Sequence, residues 1–454
     1  MKTRPIALLL FLLLFLLLTG ARGEGRQFVF VTPAPPTGTA APVVVNTFTP
    51  SPEPTPGPTA EPQATAEPAQ TAAPDPEVPV QPGEYWAMDL LDTYKGSKEA
   101  EGKADDIFRS AGVRTGVLIV THAGEPVLVR TYGVRNRDRE PVSLHTRFRI
   151  ASVTKMVTAI GLMRLYEQGA FDLDAPLSAY MPMRVANPSY PDEEVTMRQV
   201  LSHTSSIKTG LRYKPNWEKL KKDNRYFKRY VHPGTRYMYA NLNGGLCGAA
   251  IEALSGQSVN TYMRENVFAP LGIDAAYNPG LLLDQSDMAD MMGENGRIIS
   301  TAGREIRVHS DYDDTCDPRE HTDRTAGGLY ISPAALSRLM AMFAGGGETG
   351  GVRILSSETV TLMRQDQSTV ENSSVRVTSP YGLFVTHVTA GDRYVWYGHQ
   401  GRYNGLCADA FYQPETGFTF VMVVNGYDGP LSDDGLSRIA RKALALAESF
   451  LPGQ

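Results

Sequence analysis

Residues 149–169 read RIASVTKMVTAIGLMRLYEQG. Apolar residues recur through this stretch and Gly169 follows the last of them, a pattern that predicts a helix ending at a glycine. Ser152 and Lys155 are three residues apart, so on a helix their side chains share one face, with Cβ atoms about 5–6 Å apart. Partial burial and the positive end of the helix dipole both disfavour the Lys155 ammonium. The stretch therefore predicts a serine nucleophile with a lysine as its proton acceptor.

The motif Ser-x-x-Lys is weak evidence on its own, because roughly one chance match is expected in a chain of 454 residues. An N-cap serine followed by a surface lysine is the ordinary alternative. A second match lies in SSIKTG, residues 205–210, which contains Ser205 and Lys208 and also ends in Lys-Thr-Gly. Gly210 and Pro215 come after Lys208 and interrupt any helix that would align it with Ser205. We predict that SSIKTG is a loop at the pocket rim and not the nucleophile.

A Tyr-Ala-Asn triplet occupies residues 239–241 and precedes a predicted helix that runs to about Leu254. A phenol beside an amide fits a site in which Tyr239 relays the nucleophile's proton while Asn241 fixes the substrate carbonyl and the lysine. The alternative is that Tyr239 is a packed aromatic residue and that Asn241 or Asn243 caps the helix.

A His-Gln-Gly triplet, His399 to Gly401, lies in a predicted strand near the end of the chain. A glycine in a strand permits close approach of a substrate to the backbone. A cationic or donor side chain at His399 can contact a carboxylate or polarise Tyr239. A histidine with a purely structural role is the alternative.

In the order Ser-x-x-Lys, Tyr-x-Asn, His-x-Gly, these elements resemble the class C β-lactamase-like serine hydrolases, which include D-alanyl-D-alanine carboxypeptidases, D-amino acid amidases and esterases. The resemblance covers most of residues 84–451. Three longer segments also resemble the family: VTMRQVLSHTSSI at 195–207, HPGTRYMYANLNGGLCGAAIEALSG at 232–256 and TAGGLYISPAALSRLM at 325–340.

The resemblance implies acyl transfer, in which a serine attacks a carbonyl and water releases the acyl-enzyme. It implies no metal and no cofactor. It also implies an oxyanion hole made by two backbone N–H groups, those of Ser152 and Arg402. The implied catalytic residues are Ser152, Lys155 and Tyr239, and the implied substrate-binding residues are Asn241, His399, Gly401 and Arg402.

Two departures from the family pattern bear on the substrate. Dedicated class C β-lactamases have Lys-Thr-Gly where this chain has His-Gln-Gly, which is more similar to the carboxypeptidases and amidases. The loss of a permanent cation argues against an antibiotic-degrading enzyme, although the neighbouring Arg402 could supply a charge. Ser206 stands where the family usually has glycine.

The pattern of strands and helices predicts an α+β fold of the β-lactamase type. The runs TGVLIVTHAG and EPVLVRTYG predict a hairpin, after a helix at EYWAMDLLDTY. Near the other end, RYVWYGHQG, LCADAFYQPE and FTFVMVVNG predict three strands, followed by a helix at LSRIARKALALAESF. Strands from both ends are expected to form one antiparallel sheet flanked by helices, with the mainly helical middle inserted as a subdomain.

The N-terminal part has a different character. Residues 1–25 combine two basic residues with a 13-residue apolar run at 6–18, which predicts a secretory signal. A retained anchor is the alternative, but roughly 20 apolar residues are needed to span a bilayer. Residues 26–83 are rich in Pro, Thr and Ala and predict a disordered linker, either a spacer or a simple leader. The hydrolase domain is then 84–454, and an extracytoplasmic location, secreted or associated with the cell envelope, is expected.

Composition limits the partners. The net charge of −5 shows no basic run suited to nucleic acid, so the expected partner is a small-molecule or peptidoglycan-derived substrate, with possible cell-wall or membrane proximity through the N-terminal segment. The three cysteines, Cys247, Cys316 and Cys407, favour buried thiols, although one bridge is possible.

Other classes of function fit parts of the sequence less well. GGGETG at 345–350 matches a dinucleotide-binding pattern, but a predicted helix precedes it instead of a strand, so a turn is expected. The substrate can be a stem peptide, a D-amino acid amide, an ester or a β-lactam. A non-catalytic wall-binding or sensor module is the alternative of a different class.

Overall fold

The computed structural model describes residues 94–208, 226–310, 324–367 and 380–451, with gaps at 392, 428 and 433. The predicted signal segment, linker and first helix lie outside these ranges, apart from Tyr94 at the end of that helix. No helix in the described ranges combines the length and apolar composition that a bilayer span requires.

A six-stranded antiparallel sheet organises the described chain. Its strands are β1 (Thr115–His122), β2 (Glu125–Gly133), β9 (Thr386–Val388), β10 (Trp396–Tyr403), β11 (Leu406–Gln413) and β12 (Phe418–Asn425). They lie in the order β2-β1-β12-β11-β10-β9. The first strand pairs with the last from Thr115 opposite Asn425 to His122 opposite Phe418. The prediction that strands from both ends share one sheet is therefore confirmed.

Helices cover both faces of the sheet. Side chains alternate along a strand, so Val117 and Ile119 enter one apolar cluster while Leu118 and Val120 enter the other. The first cluster includes α2 (Val153–Glu167) and α8 (Pro333–Ala344), and the second includes α1 (Lys98–Ser110) and α10 (Arg438–Glu448). Strands β11 and β12 are consequently buried at every position, which explains their nearly continuous apolar sequence.

The middle of the chain supplies the inserted helices and short strand pairs. The helices are α3 (Met197–Leu201), α4 (Asn241–Ser255), α5 (Val259–Met263), α6 (Ala302–Ser310), α7 (Arg324–Gly327) and α9 (Ser357–Arg364). Short strands pair as β3 (Phe148–Arg149) with β6 (Tyr330–Ile331), β4 (Met291–Met292) with β5 (Ile298–Ser300), and β7 (Glu348–Thr349) with β8 (Val352–Arg353). The glycine-rich stretch 345–350 forms the end of α8 and the turn into β7, as predicted.

Helix α2 begins later than the sequence pattern suggested. Residues 148 and 149 form β3, and Ala151 takes a left-handed conformation with φ of 46° before the helix begins at Val153. Ser152 occupies the N-cap position, but its side chain makes no capping hydrogen bond. The helix is buried on nearly all sides, so its apolar residues do not form a single stripe. The turn leaves the Ser152 hydroxyl available for other contacts.

Helix α4 packs closely against α7 because two of its three glycines, Gly244 and Gly248, face α7. A Cβ atom at Gly244 would lie 2.7 Å from the Cα of Ala326 and 3.2 Å from the Cγ of Lys155. At Gly248 a Cβ would lie 2.5 Å from the Thr325 side chain. These contacts bring the backbone of α7 within reach of helix α2.

Replacing Gly244 with alanine is expected to lower the free energy of unfolding by about 1–3 kcal/mol, because the added methyl group meets backbone in a packed core. Gly102→Ala is the matched control, since Gly102 lies in α1 and no neighbouring atom is within 4 Å of the place that its methyl group would take. That substitution is expected to raise the free energy of unfolding by up to about 1 kcal/mol. Urea unfolding monitored by circular dichroism measures both, and equal shifts in the two variants would contradict the close-packing account.

Candidate active site

Lys155 is fully buried at the start of α2 and has three polar neighbours. Its Nζ lies 3.1 Å from Ser152 Oγ, 2.8 Å from Asn241 Oδ1 and 2.6 Å from the backbone oxygen of Ala326. Burial lowers the pKa of Lys155 to about 7. A neutral amine has two N–H groups, which the two carbonyl oxygens accept, and one lone pair, which remains for the Ser152 hydroxyl proton. The arrangement is that of a nucleophile beside its base.

Tyr239 contacts the same hydroxyl from the other side. Burial raises the pKa of the Tyr239 phenol, and a hydrogen bond with Ser152 opposes that rise. The Lys155 Nζ lies 5.0 Å from the centre of the Tyr239 ring. The phenol therefore stays protonated beside Ser152 and is placed to pass a proton between the serine oxygen and a leaving group.

Asn241 does not cap helix α4, because the N-cap position belongs to Ala240. Its side-chain oxygen instead holds Lys155. Asn243 is not the cap either: its Oδ1 accepts a hydrogen bond from Ser205 at 2.9 Å, and its Nδ2 donates to His203 Nδ1 at 2.9 Å. The capping alternative for both residues is wrong.

His399 faces the site from strand β10, but it carries no charge there. Its Nδ1 lies 2.7 Å from the backbone oxygen of Gln400, which can only accept, so this nitrogen carries the proton. Its Nε2 then accepts from the Tyr381 hydroxyl at 3.2 Å. Burial lowers the pKa of His399 to about 3. The expectation of a cation or free donor at His399 is therefore wrong in this arrangement, and its ring centre lies 6.3 Å from that of Tyr239.

The Arg402 side chain also differs from expectation. Its guanidinium bonds to Asp409 at 2.9 Å and to the backbone oxygen of Gly401 at 2.7 Å, so its charge is paired within the protein. Strand alternation explains this, because residues 399 and 401 point to one face of the sheet and residue 402 to the other. Only the backbone N–H of Arg402 remains for the oxyanion hole that the resemblance implies.

Gly401 is required by the protein's own backbone. A Cβ atom here would lie 2.4 Å from the oxygen of Ile150 and 3.0 Å from the nitrogen of Ser152. The sequence suggested that this glycine admits a substrate, whereas the atoms that approach it belong to the turn before α2. The contact places the Ser152 amide directly beside strand β10.

His203 and Tyr381 were not singled out by the sequence motifs. His203 lies in the HTSS segment and is fully buried, and burial lowers its pKa well below the usual value. Its ring centre is 4.3 Å from that of Tyr239 and 5.3 Å from that of Tyr381. The HTSS segment itself was an available signal for His203, but no local pattern marks Tyr381. Together these rings form an aromatic wall behind Tyr239.

The second Ser-x-x-Lys match does not form a second nucleophile. Ser205 is buried and bonds to Asn243, and the backbone of Lys208 pairs with that of Tyr226. Thr209 and Gly210 lie outside the described residues. The described part of SSIKTG is therefore a loop that supports the aromatic wall through Asn243 and His203.

Among the described residues, neither a set of metal ligands nor a thiol takes part in this site. Within the four described ranges, no three His, Cys, Asp or Glu side chains come together as a metal ligand set. Cys247 and Cys407 are buried free thiols, and Cys316 lies outside the described residues.

The chain is similar to several known proteins. AmpH, a D-alanyl-D-alanine-carboxypeptidase/endopeptidase of Escherichia coli (strain K12), is 30% identical over 205 residues, which are 43% of this chain and 51% of AmpH. The chain thus spans about half the length of this relative. An octameric penicillin-binding protein homologue from Pyrococcus abyssi superposes with a TM-score of 0.61 at 22% identity, over 78% of this chain and 79% of the other.

A D-amino acid amidase from Ochrobactrum anthropi SV3, complexed with L-phenylalanine, superposes with a TM-score of 0.59 at 18% identity, over 78% of this chain and 99% of the other. Both structural likenesses establish the fold. The family model described as Beta-lactamase matches residues 97–445, which is most of the chain. The chain therefore belongs to the Beta-lactamase family.

Proposed function

We propose that the protein is an exported serine hydrolase that cleaves an amide or ester through an acyl-enzyme, with a D,D-peptidase or D-amino acid amidase-like activity. The observation that carries the proposal is the buried Lys155, whose two carbonyl partners leave its lone pair for Ser152. A buried lysine with no catalytic task would cost stability, so this arrangement favours a functional role.

In the first half of the reaction, the Ser152 hydroxyl transfers its proton to Lys155 as Oγ bonds to the substrate carbonyl carbon. The developing oxyanion is stabilised by the backbone N–H groups of Ser152 and Arg402. Tyr239 donates its proton to the leaving nitrogen or oxygen as the carbonyl–leaving-group bond breaks, and it regains a proton from Lys155. The product of this half is an ester of Ser152.

In the second half, water replaces the leaving group. Lys155 accepts a proton from the water, relayed through the Tyr239 phenol, as the water oxygen bonds to the ester carbonyl. The bond to Ser152 Oγ then breaks, the serine oxygen takes back the proton, and a carboxylic acid leaves. Asn241 holds the Lys155 amine in place throughout, through the contact at 2.8 Å.

The substrate class rests on the relatives and on the third motif. The names of AmpH and of the D-amino acid amidase support a substrate with a D-amino acid at the cleaved bond. His399 is neutral, whereas dedicated β-lactamases have a permanent cation at this position, and this difference argues against a β-lactam substrate. An esterase is the alternative within the same chemistry. The apolar run at 6–18 supports export, and a peptidoglycan-derived or other small substrate is then met at the cell envelope.

Ser152→Ala is expected to abolish covalent labelling by a fluorophosphonate or penicillin probe and to reduce hydrolysis by about 10⁴-fold or more. Intact-protein mass spectrometry measures the label. Ser205→Ala is the matched control, because it removes the serine of the second Ser-x-x-Lys match and should retain the label. Absence of label in the wild type under all conditions would favour the wall-binding or sensor module instead.

The rate of acylation is expected to depend on deprotonated Lys155. Because burial lowers the pKa of Lys155 to about 7, the ammonium form, which has no lone pair, predominates below that pH. We expect kcat/KM for a neutral ester to fall about tenfold per pH unit below pH 7 and to level off above it. The pKa values of His203 and His399 lie lower, so the same limb should persist in His399→Asn. A limb that shifts or disappears in that variant would contradict the assignment to Lys155.

Turnover of β-lactams is expected to be slow or absent, because His399 is neutral and Arg402 is paired with Asp409. Penicillin and cephalosporin hydrolysis, followed by absorbance, measures this directly. His399→Lys tests the cause, since it places a lysine at the motif position and should raise turnover if the missing cation is responsible. Cephalosporin turnover by the wild type at the level of dedicated β-lactamases would overturn the expectation.

A further inference from the structure

Arg149 lies three residues before the nucleophile and is anchored on two sides. Its Nε donates to the backbone oxygen of Gly327 at 2.8 Å, and its guanidinium carbon lies 4.5 Å from the ring centre of Tyr403. A Cβ atom on Gly327 would lie 3.6 Å from the carbonyl carbon of Ala151. The guanidinium is thus fixed beside the turn that carries Ser152.

Tyr403 lies on the same face of strand β10 as Gly401. The two are i and i+2 in the strand, so their side-chain directions agree and they are separated by roughly 6.5 Å along the strand. Gly401 abuts the nitrogen of Ser152. Tyr403 is 41% exposed, and Arg149 is only half-buried. Both groups are therefore accessible at the end of β10 that lies beyond Gly401.

Arg149 forms no ion pair within the described residues. Its neighbour Arg147, in contrast, forms ion pairs with Asp274 and Asp284. Glu305 and Arg149 both lie close enough to Tyr330 to act on its pKa, in opposite directions.

Asp290 lines the same pocket as Arg149, but its two oxygens accept hydrogen bonds from the backbone nitrogens of Ala302 and Arg137 and form no ion pair with Arg149 within the described residues. Because Nε is used by Gly327, the two terminal nitrogens of Arg149 present the flat end of the guanidinium. That end matches the two oxygens of a carboxylate.

The position of this cation defines which half of the substrate it can reach. Tyr239, which serves the leaving group, lies near His399, with ring centres 6.3 Å apart. Tyr403 is four residues further along β10, roughly 13 Å from His399. A substrate carbonyl at Ser152 therefore has its leaving group toward His399 and its acyl part toward Arg149.

We propose that Arg149, stacked on Tyr403, binds a carboxylate on the acyl part of the substrate. The inference rests on the proposed acyl-enzyme function and adds a specificity: acyl donors that carry an anionic group beyond the cleaved bond react faster than neutral ones. The aromatic ring orients the guanidinium, and the substrate carboxylate supplies the direct ion pair that no described residue makes with Arg149.

A pair of matched acyl donors tests the subsite. One is an N-succinyl-D-alanine thioester, which carries a carboxylate, and the other is its carboxamide analogue with the same neutral thiol leaving group. We expect the wild-type kcat/KM to be at least about tenfold higher for the carboxylate donor at low salt, and this ratio to fall as salt is added. Arg149→Gln should bring the ratio to about 1, and Arg149→Lys should give an intermediate ratio, because lysine retains the charge without the flat donor pair.

Two further variants separate recognition from structure. Tyr403→Leu keeps the contact between Arg149 and Gly327 but removes the ring, and should lower the ratio while fluorophosphonate labelling continues. Arg109→Gln is the control for loss of one arginine, because Arg109 is exposed on α1 and pairs only with Asp106 among the described residues. It should keep the wild-type ratio.

The outcomes are distinct. A wild type that hydrolyses the neutral donor without preferring the carboxylate donor overturns the subsite and leaves the proposed function standing. An Arg149→Gln variant that keeps the ratio also overturns it. An equal loss with both donors, together with a matching loss of fluorophosphonate labelling, assigns Arg149 a structural role only. Failure of the wild type to hydrolyse either donor or to take up the fluorophosphonate contradicts both proposals.

Discussion

The burial of one amine, that of Lys155, is the constraint on which the rest of the site depends. An amine removed from water needs acceptors for its hydrogens, and here these come from Asn241 and from the backbone of Ala326. The two acceptors belong to different helices, so α2, α4 and α7 must meet at a single point. The glycines of α4 make that meeting possible, since larger residues would hold the helices apart. The close packing of the three helices is therefore what supplies the acceptors of the Lys155 amine.

The site also contains little charge. Burial favours the neutral forms of Lys155, His203 and His399 and the protonated form of Tyr239. Proton transfer from Ser152 to Lys155 creates an ammonium beside the developing oxyanion, so the two charges arise as a pair and not as an isolated ion. The pair formed by Arg402 and Asp409 places its charges on the opposite face of the sheet. The polarity of the pocket thus arises from directed lone pairs and N–H groups.

The sequence predicted those parts of the molecule for which a residue type is indispensable. Ser152, Lys155, Tyr239 and Asn241 were predicted to share a site because proton transfer needs such groups, and the structure brings them together. The sheet was predicted because its strands are alternating or continuous apolar runs between turn residues. The Ala326 oxygen was not, since a backbone group has no sequence signature. Tyr381 was missed because its contact with His399 arises only in the tertiary structure. Strand alternation predicts that the Arg402 side chain points to the face of the sheet opposite His399, but the sequence prediction for this residue was based on its charge.

The contact between Gly401 and the turn before α2 has a mechanical consequence. Because Ser152 touches the strand with no side chain between them, a displacement of β10 carries the nucleophile with it. The spacing between the serine amide and the strand amide is thus insulated from movements of the inserted helices. Such movements would change the walls of the cleft without altering the spacing of these two amides. Substrate range can then change through the cleft walls while the two backbone N–H groups keep their relative positions.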